Sequence, residues 1–120
     1  MMQTAGASLI AIEPGTCTIE APISQHLTQQ HGFGHAGLTF ALGDSAAGYA
    51  ALAMMEPDQE VLTSEMKINL LSPAKGDTLR ADGRVIRAGK RLVVVQADVF
   101  AISASGEMLI AILQGTMVPV

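Results

Sequence analysis

LTFALGDSAAGYAALAMM, residues 38–55, is the stretch whose reading decides the fold. Ala, Leu and Met dominate it, no proline interrupts it, and Glu56-Pro57-Asp58 closes it, so it reads as a helix over 38–55. Its apolar residues occupy nearly every face instead of one stripe. A helix of that kind is buried around most of its circumference. Residues 36–55 are long enough to span a bilayer, but Asp44 sits near their middle, at a cost of about 3 kcal/mol in lipid that the surrounding Ala and Gly hardly offset. The helix is therefore expected inside a folded domain, not in a membrane.

After this helix the pattern changes period. In TSEMKINLL, residues 63–71, Ser64, Met66, Ile68 and Leu70 alternate with Glu65, Lys67 and Asn69, the mark of a strand. Strands follow over 77–87 (DTLRADGRVIR), 91–103 (RLVVVQADVFAIS) and 107–118 (EMLIAILQGTMV). Ala88-Gly89-Lys90 and Ala104-Ser105-Gly106 join them as hairpin turns. Before the helix, ASLIAIE (7–13) and CTIEAPI (17–23) form two more strands split by Pro14-Gly15. Between 24 and 37 the chain is polar and glycine-rich, a loop with one helical turn in it. The expected fold is α+β: residues 1–120 as one domain, an antiparallel curved sheet wrapped around one long central helix. One sheet face cannot cover every side of such a helix, which points to a second copy of the chain.

Composition narrows the function. At 49% hydrophobic the chain is not disordered, and its one cysteine, Cys17, excludes an internal disulfide or a multi-cysteine zinc site. No basic residue precedes the first apolar stretch as in a secretory signal, so a cytoplasmic setting is expected. The net charge of −4 argues against nucleic-acid binding. Yet all seven basic residues lie between Lys67 and Arg91, opposed there only by Asp77 and Asp82. That run reads either as a solvated face of two strands or as a patch for a small polyanion.

Asp44 is the only charged residue between Glu20 and Glu56. A carboxylate in so apolar a helix either turns to solvent, caps a loop, or serves as a general base or nucleophile. Nearby motifs are weaker. Gly32-Phe33-Gly34-His35-Ala36-Gly37 fits G-x-G-x-x-G, but no buried strand precedes it. His31 and His35 have helical metal-ligand spacing, but the glycines between oppose a helix and no acid adjoins, so no metal is expected. Gly43-Asp44-Ser45-Ala46-Ala47-Gly48 has one residue too many for a nucleophile elbow. Cys17 reads as a small core residue.

Two segments carry a family resemblance: Gln29-Gln30-His31-Gly32-Phe33-Gly34-His35-Ala36-Gly37 and Leu42-Gly43-Asp44-Ser45-Ala46. Together they are similar to the signature of hotdog-fold acyl-CoA thioesterases, and most to the phenylacetate-degradation (PaaI-like) subgroup of the 4-hydroxybenzoyl-CoA thioesterase superfamily. Lys67–Gly76 and Val85–Leu92 also resemble that family, so the likeness runs along nearly the whole chain. Gln29 stands where the family usually has Asn, and Ala36 replaces the first glycine of its pair. Both keep the needed group, an amide side chain and a backbone N–H.

The resemblance implies hydrolysis of an aryl- or medium-chain acyl-CoA to free acid and CoA. It implies that the Ala36 N–H polarises the thioester carbonyl, with Gly37 beside it, and that Gln29 orients the carbonyl or the water. Asp44 acts as general base or nucleophile, Thr63 holds the water, and His35 shapes the loop. Strict alternation puts Thr63 on the Glu65 side, away from Met66 and Ile68, unless a bulge or strand end intervenes. Arg87, Lys90 and Arg91 around Gly89 are candidates for the CoA phosphates, with Ser72, Pro73 and Lys75 near the pantetheine or adenine. CoA is part of the substrate, and no separate cofactor is implied.

Asp44 lies eight residues beyond Ala36, about 12 Å along a helix axis, too far for one chain to bring both to one carbonyl. The expected site therefore joins Ala36 and Gln29 of one chain to Asp44 and Thr63 of another, in a homodimer or a tetramer built from two dimers. Two other functions compete. One is a non-catalytic acyl-CoA binder or sensor of the same fold, which retention of Asp44 and the amide at 29 disfavours. The other is a hotdog hydratase or dehydratase, which needs a histidine beside the acid. His35 is about half a turn out of phase with Asp44, so that reading is weak.

Overall fold

The computed structural model describes all 120 residues. It contains six strands: β1 (Ser8–Glu13), β2 (Thr16–Pro22), β3 (Val61–Leu70), β4 (Thr78–Ala88), β5 (Val93–Ser103) and β6 (Gly106–Pro119), with one α-helix, α1 (Ala36–Leu52). They form one antiparallel sheet in the order β1-β2-β4-β5-β6-β3. The helix lies across one face of it, as expected for a hotdog fold. β1 and β3 are the two free edges.

Small residues let the helix settle closely. Ala46, Ala47, Ala50 and Ala51 are fully buried, and an added side chain at Gly83 of β4 would meet the Ala46 carbonyl carbon at 2.3 Å. Leu42, Leu79, Ile110 and Met117 complete the core, each worth roughly 1.5–3 kcal/mol of apolar burial. Cys17 is part of this core, and burial pushes its thiol up from its ordinary range, away from reactivity. No helix is long and apolar enough to cross a membrane.

The strands read from sequence shift by one or two residues at their ends, β3 starting at Val61 instead of 63, and the helix and the β4–β5 hairpin differ for identifiable reasons. The helix begins at Ala36, two residues earlier, because His35 caps it. It ends at Leu52, three residues earlier. Met54 and Met55 donate to Ala51 and Leu52 in a tightened last turn, ahead of a proline that disfavours helical Glu56. The hairpin after β4 runs to Leu92, so β5 starts at Val93, not at 91; Gly89 donates to the Leu92 carbonyl across it.

The basic run does not form one patch. On the sheet face away from the helix, Arg84 pairs with Asp98 at 3.1 Å and Arg80 with Glu107 at 2.6 Å. Arg80 also bonds Asp82 and lies over the Phe100 ring, 4.7 Å from its centre. The Arg80 hydrogen bond holds Glu107 below the usual carboxylate range. These pairs leave Lys67, Lys75 and the Arg87–Arg91 hairpin outside any ion pair in the segments that resemble the family, Lys67 lying beside Arg84 and Asp98.

Candidate active site

The loop before α1 is tied at several points. A short 3-10 turn over Gln25–Leu27 leads into it, and the Thr28 and Ala74 backbones each bridge to Gly34. The Gln29 side-chain oxygen accepts from the His31 N–H at 2.6 Å and the Phe33 N–H at 3.3 Å. Gln29 therefore shapes the loop through its oxygen, and only its amide NH2 is left to meet a ligand. Gly32 sits at φ 82°, which suits a residue without a side chain.

At the helix start His35 is the N-cap: its Nδ1 accepts from the Gly37 N–H at 2.8 Å. Its carbonyl accepts from the Leu38 and Thr39 N–H groups. The Ala36 N–H has no acceptor in the chain, so it is the donor that the helix end offers outward. It opens on a cleft of about 530 Å³ that gathers Gln29, His35 and Ala36 with Ser72 and Pro73. Thr39 and Leu70 also line this cleft, and the sequence reading missed them. Thr39 was findable, since a residue three beyond Ala36 shares its helix face.

Asp44 faces a different cavity. It is half-buried, and lines a space of about 640 Å³ with Gly37, Ser45, Phe40, Tyr49 and Met1–Gln3. Its Oδ1 accepts from the Thr63 hydroxyl at 2.7 Å. Thr63 reaches it because β3 carries a bulge: Thr63 pairs with Met117 and Glu65 with Thr116, leaving Ser64 as the extra residue. The bulge turns Thr63 to the helix side, where its hydroxyl also lies 3.4 Å from the Met117 sulfur, while Glu65 bonds Thr116 on the other face. No Lys or Arg pairs with Asp44.

The structure thus brings the expected residues together in two groups, Gln29–His35–Ala36 and Asp44–Thr63. The residues proposed for CoA separate as well. Ser72 and Pro73 also line a second cleft of about 570 Å³ that contains Lys75. Arg87, Gly89, Lys90 and Arg91 lie at the other end of β4, roughly 30 Å along the strand from Thr78.

A family model described as "Thioesterase superfamily" matches residues 31–104, which include His35, Ala36, Asp44 and Thr63. The chain belongs to the Thioesterase superfamily. A thioesterase family protein from Silicibacter pomeroyi is 39% identical, with a TM-score of 0.97 over 99% of this chain and 88% of that one. A Saccharolobus solfataricus protein carrying an esterase name is 31% identical over 90 residues, 75% of this chain and 64% of that protein. The thioesterase-superfamily chain thus matches just under two thirds of that relative. A Bacillus halodurans protein solved with CoA is 26% identical, with a TM-score of 0.79 over 86% of this chain and 66% of that one.

Proposed function

We propose that this chain hydrolyses acyl-CoA thioesters, as a member of the PaaI-like subgroup, at a site shared between two copies. The observation that carries the reading is that Asp44, paired with Thr63, lines a cavity separate from the cleft of the Ala36 N–H. A carbonyl held at Ala36 needs the carboxylate of a second chain, because its own is about 12 Å along the helix. The free β3 edge and the accessible helix face of Phe40, Asp44, Ser45 and Tyr49 are where that chain would meet this one.

In this reading the Ala36 N–H binds the oxygen of the thioester carbonyl and stabilises the charge that grows on it. Asp44 either takes a proton from a water held by Thr63 as that water attacks the carbonyl carbon, or attacks the carbon itself to give an acyl anhydride that water hydrolyses after CoA has left. The carbon–sulfur bond then breaks and CoA leaves as its thiol or thiolate. Likeness to a protein solved with CoA supports the leaving group. The separation of Lys75 from Arg87–Arg91 fits a substrate lying across two chains, with cations of both available to its phosphates.

A complementation experiment tests the sharing. Asp44→Ala and Gln29→Ala variants, each nearly inactive, are unfolded together, refolded at equal amounts and assayed for CoA release over aryl- and alkyl-CoA thioesters. A shared site restores about a quarter of the wild-type rate, because half the dimers are hybrids and each hybrid has one intact site. A site within one chain restores nothing. Raising ionic strength is also expected to raise KM for acyl-CoA while kcat holds, through screening of Lys75, Arg87, Lys90 and Arg91. A KM indifferent to salt counts against those contacts.

A further inference from the structure

Of the four N–H groups that this helix start leaves open, His35 meets two: Gly37 through its ring and Leu38 through its carbonyl, which also accepts the first regular helical bond from Thr39. Its own N–H is fixed to the Leu27 carbonyl at 2.9 Å, and Gly34 before it is fixed to Ala74. Ala36 is therefore held between a tied loop and a ring-capped glycine, and its N–H alone remains free. Gly37 has no side chain to restrict its backbone, so the ring contact supplies the restraint that residue lacks.

The cap works only in one protonation state. Nδ1 must carry a lone pair toward the Gly37 N–H, which places the proton of the neutral ring on Nε2. A second proton would turn Nδ1 into a donor facing a donor and would put a positive charge at the positive end of the helix. The usual capping residues Ser, Thr and Asn do not titrate, whereas imidazole gains a proton between about pH 5 and 8. The titratable groups around the ring are His26 from the 3-10 turn, His31 from the loop and the Met1 amino group from the N-terminal turn. No carboxylate lines either cavity at the ring. Lys75 lines the next cleft, Asp44 of the same chain is about two and a half turns along α1, and in the shared site the second chain's Asp44 is the one carboxylate brought to this helix start.

We propose that His35 is a positioning residue whose neutral Nδ1 sets the orientation of the Ala36 N–H, so that protonation of the His35 ring switches the oxyanion donor off. The inference rests on the functional reading above. Its test compares kcat/KM against pH for the wild type, His35→Asn and His35→Ala. Asparagine caps without titrating, so His35→Asn is expected to keep the plateau within about threefold and to lose the wild-type acid limb, leaving only a lower one. His35→Ala is expected to lose at least about tenfold at the plateau. An unchanged acid limb in His35→Asn overturns the proposal.

Nitrogen-15 NMR of the free protein gives a readout without substrate. Unprotonated Nδ1 at neutral pH, and a Gly37 amide resonance that moves as the His35 ring titrates, are the expected results. A protonated Nδ1, or a Gly37 amide indifferent to that titration, overturns the cap. If no acyl-CoA is hydrolysed while the cap titrates as expected, the hydrolase reading fails and the His35–Gly37 coupling stands.

Discussion

Replacing Asp44 by alanine is expected to lower kcat at least about a hundredfold while KM moves less than about threefold. The argument is geometric. Asp44 is the one carboxylate on α1, it faces a cavity, and the Thr63 hydroxyl holds one of its oxygens at 2.7 Å. A group that acts on water or on the carbonyl carbon stabilises the transition state, not the bound substrate, so its loss falls on kcat. Thr63→Val tests the same pairing more gently. It keeps the shape, removes the hydrogen bond that aims the carboxylate, and is expected to lower kcat by about tenfold. Single-turnover release of CoA, measured with a thiol reagent, separates this chemistry from product release. An Asp44→Ala protein of unimpaired kcat ends the role assigned to this residue.

The second large effect is on stability. Gly83→Ala is expected to destabilise the fold by about 3 kcal/mol or more, at or beyond the top of the usual range for overpacking. An added Cβ there would lie 2.3–2.5 Å from the Ala46 carbonyl group and the Ala47 nitrogen, all backbone atoms of α1. No side-chain rotation relieves that contact, so the helix must lift from β4. Gly48→Ala is the contrast. Its Cβ would meet only the flexible end of Met117 at 3.7 Å, and alanine suits a helix interior better than glycine by roughly 0.5–1 kcal/mol. Thermal unfolding of both variants checks the pair: Gly83→Ala should lower the thermal midpoint by roughly 10 °C, and Gly48→Ala should hold or raise it. Equal midpoints would show that close helix–sheet approach at Gly83 does not limit the fold.

The elements were legible because their signals are local. Residues 38–55 carry a run of helix formers with one acid, and residues after 61 alternate with period two. Each hairpin has its turn residues in place. The helix ends were read less well, by two and three residues, because they depend on a histidine cap and on a tightened last turn. Histidine is not among the usual capping residues, so its presence at 35 gave no start signal.

The chain of letters was enough to specify one apolar helix against an antiparallel sheet, and to single out Asp44, since composition, period and spacing are properties of neighbouring residues; Ala36 and Gln29 entered only through the family resemblance. Which way Thr63 points was decided by the bulge at Ser64, where β3 pairs with β6 some fifty residues away. Tertiary structure also decided that Arg80 and Arg84 are spent on Glu107 and Asp98, and that Asp44 opens on a cavity other than Ala36's. Register between distant strands fixes the face each side chain takes, and a shift of one residue reverses it, so these facts exist only once the strands have paired.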